Sequence, residues 1–271
     1  MTVILPHAVL PHASAATLLP SERHPAARPA RPVPPAPLSP ALSKLLARLP
    51  VQDDGEALRQ SLFHSGTHFN PDLLTSEAER RARLEGVHAA LDRAESLVFL
   101  DTESTGGRNG RLIEVALVET DVEQNVTGGL HFRCNPHRRS LAGARRVHGI
   151  QDCELEHCPE FAARADELLE AVRGKTVVIH DRTMDLLWLN RELQAARPGA
   201  PRFEDRCTVV DSFVLARAIP SERRRNGLDA LLEWYGLGAR GGHHDAYGDA
   251  ALLSRVFFEL WWDLDEWLYG E

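Results

Sequence analysis

The chain has 271 residues, of which 43% are hydrophobic and 26% charged, so collagen-like and wholly disordered classes are excluded. Its formal net charge is −8, whereas proteins that lie along nucleic acid are generally basic. Any contact with nucleic acid is therefore expected to be confined to a strand end.

The N-terminal part of the chain is predicted to be an extension. Ten of the 17 prolines lie between Pro6 and Pro40, and this stretch has too few large apolar residues to offset the entropy of ordering. We predict a disordered extension over residues 1–40 and a helical one over residues 41–95. Ser76 and Glu79 have the spacing of a capping box and predict that a helix begins there.

The four cysteines do not have the spacing of a disulfide scaffold, and none belongs to a C-x-x-C pair. A zinc site at Cys153, His157 and Cys158 is an alternative, but structural zinc usually needs four ligands. We interpret the cysteines as buried free thiols. No apolar run approaches the about 20 residues of a membrane span, and no signal peptide is expected. We therefore expect a cytoplasmic protein without a membrane partner.

Residues 96–271 are predicted to form an α/β domain. The apolar run Leu97–Leu100 predicts a central strand, and Gly110–Val118 and Gly129–Cys134 predict two strands joined to it by hairpins. Helices and strands then alternate. The helices are predicted at Glu160–Val172, Met184–Ala196, Asn226–Trp234 and Asp245–Trp267, and the strands at Thr176–His180 and Cys207–Val210.

Two acidic residues end the central strand. Asp101 and Glu103 are two residues apart, so their side chains lie on the same face. Partly desolvated carboxylates repel each other, and a divalent cation relieves that repulsion. Taken alone, the pair is weak evidence for a metal site, and an ordinary polar strand end is the favoured interpretation.

Two further acids occupy the ends of later elements. Asp185 lies in the first turn of a predicted helix, where a carboxylate is also a common cap. Asp249 lies inside the last helix. His244 can reach the same site as Asp249 only if it belongs to the loop before that helix, as the neighbouring glycines indicate.

The order of these elements resembles the DEDDh 3′–5′ exonuclease family, which includes the proofreading epsilon subunit of bacterial DNA polymerase III and ribonuclease T. The resemblance covers about Leu97 to Leu260. Five stretches carry it, in this order: Asp101–Gly106, Arg146–Ile150, His180–Asp185, Asn226–Leu231 and His244–Asp249.

The resemblance implies an RNase H-like fold with a mixed five-stranded sheet flanked by helices. It implies that two divalent cations, Mg²⁺ or Mn²⁺, are held by four carboxylates and that His244 is the general base. Such ions lie about 3.5–4 Å apart and activate water for an in-line displacement. Acidic neighbours are expected to favour the protonated form of His244. The implied metal ligands, which are also catalytic residues, are Asp101, Glu103, Asp185 and Asp249.

The chain departs from the family pattern in the second motif. Asp181 stands where the family usually has asparagine, and Met184 where it has phenylalanine. The extra acid is expected to affect metal preference or strand contact. Ser104 in place of threonine is a mild change.

Other polar residues near these motifs have more than one interpretation. His243 is an alternative candidate for the general base, but unlike His244 it does not lie five residues before Asp249. His148 is interpreted as structural or close to substrate. Arginine runs either contact phosphates or form a solvated face, and the C-terminal tryptophans either pack in the core or form an interaction face. The arginines are Arg138, Arg139, Arg145, Arg146 and Arg223 to Arg225; the tryptophans are Trp261, Trp262 and Trp267.

The resulting hypothesis is a metal-dependent 3′–5′ exonuclease that removes nucleoside monophosphates from single-stranded or frayed DNA. RNA 3′-end trimming and a noncatalytic docking module for polymerase or nucleic acid are the alternatives. Partners in replication or repair, including a DNA polymerase, fit the hypothesis. Only 22 residues follow Asp249, so a stand-alone or differently tethered repair or processing enzyme is expected in preference to a proofreading subunit.

Overall fold

A computed structural model describes residues 76–270. The predicted extension over residues 1–40, and most of that over residues 41–95, lie outside this range. The prediction that a helix begins after Ser76 is confirmed, since the Ser76 hydroxyl oxygen accepts a hydrogen bond of 3.1 Å from the N–H of Glu79. This helix, α1, spans Glu77–Leu91.

The centre of the fold is a five-stranded sheet in the order β3-β2-β1-β4-β5. β1 pairs antiparallel with β2 and parallel with β4, so the predicted mixed sheet is confirmed. β2 pairs antiparallel with β3, and β4 pairs parallel with β5. The strands are β1 (Ser96–Ser104), β2 (Leu112–Asp121), β3 (Val126–Arg133), β4 (Thr176–Ile179) and β5 (Thr208–Asp211).

Helices cover both faces of the sheet. Seven α-helices follow α1 among the described residues, together with short 3₁₀ turns at Phe161–Ala163 and Phe203–Asp205. They are α2 (Ala142–His148), α3 (Asp152–Leu155), α4 (Ala165–Ala171), α5 (Thr183–Ala196), α6 (Ser212–Ala218), α7 (Leu228–Tyr235) and α8 (Ala246–Tyr269).

The helix predicted over Glu160–Val172 is wrong in its first turn. A 3₁₀ turn precedes α4 there, because Arg164 adopts φ −114° and breaks the helix. The sequence did not predict α2, α3 or α6. These helices have only seven, four and seven residues, which is too short for an apolar repeat to identify them.

The alternation of β1 divides the core into two layers. Leu97 and Phe99 pack against α1, α7 and α8, whereas Val98 and Leu100 pack against α4 and α5. The same alternation sends Asp101 and Glu103 towards the α8 layer and Thr102 towards the α5 layer. The polar end of β1 therefore presents side chains to both layers, with the two acids on one face of the sheet and Thr102 on the other.

The C-terminal aromatic residues belong mainly to the core. Trp261 and Trp267 pack against the α8 layer, as predicted, and the guanidinium of Arg81 lies 5.7 Å from the ring centre of Trp267. Trp262 is 46% exposed. Within residues 76–270, no helix is both long and apolar enough to cross a membrane.

Candidate active site

The end of β1 brings Asp101 and Glu103 to one side of the sheet. Burial raises the pKa of Asp101 well above its usual range, and the charges of Asp185, Glu103 and Asp249 raise it further. Burial also raises the pKa of Glu103 to about 8, with Asp249 as its strongest acidic neighbour. The four predicted acids, from three separate elements, are thus close enough to influence one another electrostatically.

Asp185 reaches this site from the first turn of α5. Its Oδ1 atom accepts a hydrogen bond of 2.7 Å from the hydroxyl of Thr102. Burial raises the pKa of Asp185 to about 7, although the Thr102 hydrogen bond opposes this shift. Thr102 is buried in the layer opposite to Asp101, so its hydroxyl fixes a carboxylate that approaches from the other side of the sheet.

Asp249 and His244 come from the start of α8. The side chain of Asp245 caps this helix by accepting a hydrogen bond from the N–H of Gly248 at 2.8 Å. His244 therefore lies in the preceding loop, which confirms the placement that its offset from Asp249 required. One ligand atom from each of Glu103, His244 and Asp249 lies within 4.8 Å of the other two.

Arg240 is a cation inside this acidic site. Its Nη1 atom lies 2.8 Å from Oδ2 of Asp249 and 2.7 Å from Nδ1 of His244. Its Nε atom lies 3.0 Å from Oδ1 of Asp229 on α7. Because arginine only donates hydrogen bonds, Nδ1 of His244 is the acceptor, and the neutral ring carries its proton on Nε2.

The expectation that acidic neighbours favour protonated His244 is wrong. Burial lowers the pKa of His244, and the adjacent positive charge of Arg240 lowers it further. The charge of Asp229 opposes this shift but does not reverse it. The imidazole is therefore held in the neutral form that a general base needs.

A buried glutamate anchors α8 to the sheet. Glu114 is 1% exposed and accepts hydrogen bonds from Nε of Arg133 at 2.8 Å, from the ring of His131 at 3.1 Å and from the N–H of Ala246 at 3.0 Å. Burial opposes ionisation, but these three hydrogen bonds lower the pKa of Glu114 to about 2. The anchor places the first residue of α8 against β2, beside Glu103.

The loop before α8 is fixed by the C-terminal end of α2. The N–H of His244 donates a hydrogen bond of 2.9 Å to the carbonyl of Val147. Gly149 follows with φ +73°, and a Cβ atom there would lie 2.8 Å from Cγ of His243. His148 is buried, and its Nδ1 accepts a hydrogen bond of 3.0 Å from the N–H of Ile150, which favours its structural interpretation.

The turn from β4 to α5 has a left-handed residue at its centre. Asp181 adopts φ +57°, a conformation in which asparagine and aspartate are tolerated better than other non-glycine residues. Its N–H donates to Asp211, which also caps α6 by accepting from the N–H of Phe213. Asp181 is exposed, and its charge contributes to the raised pKa of Asp185.

The loop between β1 and β2 is held by side chains of α5. Nε1 of Trp188 donates to the carbonyl of Gly107 at 3.1 Å, and Nη1 of Arg191 donates to the carbonyl of Arg108 at 2.7 Å. Glu192 pairs with the guanidinium of Arg111, whose Nη2 lies 2.8 Å from Oε2. The helix that begins beside Asp185 therefore also fixes the loop that follows Glu103.

Some residues that the sequence analysis considered lie outside this site. Cys134 and Cys207 are buried, but Cys153 is exposed and Cys158 is half-buried, so the interpretation of all four cysteines as buried thiols is wrong for Cys153 and holds only in part for Cys158. Arg223 is buried and pairs with Asp263 at 2.6 Å, so it is structural.

Sequence reasoning missed the residues that support the predicted ones. Thr102, Glu114, Arg240 and Asp211 act through hydrogen bonds across the fold, which chain spacing does not reveal. The glycine after His148 was the one available signal, because glycine is favoured where φ is positive.

The donor set fits divalent metal ions. Four carboxylates converge, and Arg240 is the one cation that contacts them in the described part of the chain. Three of the four have raised pKa values, of about 8 for Glu103, 7 for Asp185 and 6 for Asp249. Carboxylates held this close need additional positive charge to ionise together near neutral pH. Carboxylate oxygen is the ligand that Mg²⁺ and Mn²⁺ prefer.

Comparison with protein families gives a match over residues 98–257 to a family described as Exonuclease, of the RNase T type. The epsilon subunit of DNA polymerase III from Rickettsia felis is 34% identical over 168 residues, which cover 60% of this chain and 72% of that protein. The same subunit from Escherichia coli is 33% identical over 172 residues, which cover 60% of this chain and 70% of the relative.

Solved structures show the same fold. Exonuclease I from Methylocaldum szegediense aligns with a TM-score of 0.50 and 20% identity, over 63% of this chain and 40% of that one. A 3′-exonuclease described as recognising the histone mRNA stem-loop aligns with a TM-score of 0.53 and 14% identity, over 82% of this chain and 84% of that one.

Proposed function

Because the chain belongs to the RNase T-type Exonuclease family and is a 3′–5′ exonuclease, we propose that it hydrolyses the terminal phosphodiester bond at 3′ ends of single-stranded or frayed DNA. Nucleoside monophosphates are the product. The observation that carries this proposal is the convergence of His244 with carboxylates from β1, α5 and α8 at one edge of the sheet.

The carboxylates are the proposed metal ligands. Members of this family use divalent metal ions. Here Mg²⁺ or Mn²⁺ would be held by Asp101, Glu103, Asp185 and Asp249, and would supply the charge that activates water and stabilises the leaving 3′ oxygen. Thr102 orients Asp185 for this role through its 2.7 Å hydrogen bond. Glu114 orients the start of α8, from which Asp249 projects.

His244 is the proposed general base. Its lowered pKa keeps the ring neutral at the pH where the acids are ionised. Its free lone pair is on Nδ1, where it accepts a hydrogen bond from Arg240. Proton uptake from water at this atom therefore requires that Arg240 releases it, and the guanidinium remains within reach of Asp229 when it does so.

DNA is the proposed substrate because the most similar sequences reported above are subunits of a DNA polymerase. Partners in replication or repair are proposed on the same ground. Contact with a 2′-hydroxyl would distinguish RNA from DNA in the pocket. The negative net charge supports action at a strand end, since little of the surface could follow a duplex.

The test is hydrolysis of three 5′-labelled substrates, single-stranded DNA, duplex DNA and RNA, with Mg²⁺ and with chelator. We expect stepwise shortening of single-stranded DNA that depends on metal and is lost in Asp101→Ala. Thr176→Ser, at the far end of β4, is a matched control that should retain activity. Efficient trimming of RNA with inert DNA would refute the DNA substrate. Absence of hydrolysis would refute the catalytic proposal and favour a docking module.

A further inference from the structure

The arginines of this acidic chain are concentrated in two stretches near the site. Residues 104–113 and 134–151 contain six arginines and no aspartate or glutamate, although the chain has a net charge of −8. Arg111 is neutralised by Glu192, and Arg145 lies 3.0 Å from Oδ2 of Asp152. The other four side chains, Arg108, Arg138, Arg139 and Arg146, are exposed and form no salt bridge within residues 76–270.

The two stretches form one surface. The N–H of Leu141 donates a hydrogen bond of 2.9 Å to the carbonyl of Thr105. Nη1 of Arg138 donates to the carbonyl of Asn109 at 3.1 Å. The β1–β2 loop and the segment that leads into α2 are therefore in contact. We call the four exposed arginines together with Leu141 and Val147 the arginine surface.

Exposed apolar side chains lie among these charges. Leu141 is 54% exposed and Val147 is 44% exposed. Leu141 packs over the β1–β2 loop, since its Cδ1 atom would be 3.4 Å from a Cβ atom at Gly106. Guanidinium groups match phosphates, and aliphatic side chains can contact the faces of unpaired bases. The mixture therefore has the chemistry of a path for single-stranded nucleic acid.

The arginine surface is continuous with the active site at both ends. Thr105, whose carbonyl accepts the hydrogen bond from the N–H of Leu141, directly follows β1 and is two residues after Glu103. Val147 accepts the hydrogen bond from the N–H of His244. A strand whose 3′ end lies between Glu103 and His244 is therefore beside this surface as it leaves the site.

We propose that the arginine surface binds the DNA strand that leads away from the scissile bond. The arginines contact its phosphates, while Leu141 and Val147 contact its bases. This inference rests on the proposed function and adds the part of the substrate that does not react. The inference also explains how a protein of negative net charge could bind nucleic acid, because the positive charges are concentrated on the arginine surface.

The test measures binding and small-substrate hydrolysis separately. The variant is Arg108→Gln/Arg139→Gln/Arg146→Gln, which leaves the hydrogen bond of Arg138 in place, and its control is Arg93→Gln/Arg206→Gln, which removes two exposed arginines near the opposite ends of β1 and β5. Binding of a fluorescent 12-residue oligothymidylate is followed by anisotropy in chelator at several salt concentrations. The p-nitrophenyl ester of thymidine 5′-monophosphate has no nucleotides beyond the scissile bond. Its rate of hydrolysis therefore measures the activity of the catalytic residues alone.

We expect the triple variant to bind the oligonucleotide about tenfold more weakly or worse. The slope of log affinity against log salt should fall by about 2, since each lost phosphate contact on a single strand contributes about 0.7. Hydrolysis of the small ester and the melting temperature should match wild type. The control should bind like wild type.

An unchanged affinity and salt slope in the triple variant would overturn the inference. So would losses in the variant and the control in proportion to the three and two charges that they remove, which would show that binding responds only to net charge. A surface that binds a 12-residue RNA in preference to DNA would overturn the DNA assignment. If wild type hydrolyses neither substrate yet the triple variant still loses binding, the proposed function fails, and only the part of the inference that assigns DNA binding to the arginine surface stands.

Discussion

The main-chain N–H of His244 donates a hydrogen bond of 2.9 Å to the carbonyl oxygen of Val147. It joins the proposed general base to the last turn of α2, a helix from a different part of the chain. Gly149 ends this helix in a left-handed conformation and lets the neighbouring His243 ring pack against its backbone. The position of the imidazole therefore depends on a turn more than 90 residues earlier in the sequence.

Replacing this glycine should impair catalysis more than stability. In Gly149→Ala the new Cβ atom would lie 2.8 Å from Cγ of His243, so the loop must shift. A displacement of about 1 Å can lower kcat about 100-fold. Gly174→Ala is the matched control, because it has φ +68° but nothing within 4 Å of the new atom. Both variants should lose about 1–2 kcal/mol of stability from strain; equal kcat values would contradict the prediction.

The hydroxyl of Thr102 should matter for activity because it orients Asp185. In Thr102→Val the side chain keeps its shape but loses the 2.7 Å hydrogen bond. Partners that orient metal ligands typically contribute about 10- to 100-fold to activity or metal affinity. We expect that loss in kcat and in Mg²⁺ affinity measured by calorimetry. Thr102→Ser, which retains the hydroxyl, should recover most of both, and failure of this rescue would show that only packing was affected.

The charge of Arg240 should set the acidic limb of the pH–rate profile. Burial and this charge together lower the pKa of His244, and a general base acts only when it is neutral. In Arg240→Gln the pKa of His244 rises, so the acidic limb of kcat/KM moves to higher pH. Arg240→Lys should move it less because the positive charge remains. A limb that stays in place in Arg240→Gln would show that another group controls it.

The metal-free protein should become less stable as the pH rises. Glu103, Asp185 and Asp249 have pKa values of about 8, 7 and 6 in the folded chain, against ordinary values of 4.5, 3.8 and 3.8. The folded state therefore holds protons that the unfolded state releases, and stability falls between pH about 4 and about 8. Thermal unfolding in chelator measures this directly.

Variants and metal test the origin of that pH dependence. Asp101→Asn removes one of the repelling charges and should raise the melting temperature at pH 8 in chelator, while Glu123→Gln, an exposed change in the β2–β3 turn, should not. Divalent ions should restore stability at pH 8, because a ligand that binds only the folded state stabilises it. A pH-independent melting temperature in chelator would mean that the acids do not repel one another.

Much of the fold was predictable because its strands are regular. The apolar run before Asp101 and the β-branched run before His180 are typical of strands in a sheet that is covered on both faces, and β1 and β4 are such strands. The long helices α5 and α8 were predicted to within two residues at the end nearest the site. Short helices such as α2 were not, since their boundaries depend on contacts with other segments.

The supporting residues were beyond sequence reasoning for a related reason. In the sequence Arg240 is an arginine near glycines in a loop. Its role depends on three side chains that the fold assembles around it, two as hydrogen-bond acceptors and Asp229 as an ion-pair partner. Asp181 is the opposite case. Its departure from the family asparagine was visible, but the left-handed turn that explains why either residue fits was not.

Three side chains of α5 hold the β1–β2 loop, and this has a consequence for local unfolding. The loop cannot open without also releasing Trp188, Arg191 and Glu192. The loop amides and the middle turns of α5 should thus exchange hydrogen for deuterium as one cooperative unit. An arriving strand would then meet a loop that is already ordered, and the entropy lost on association would fall mainly on the nucleic acid.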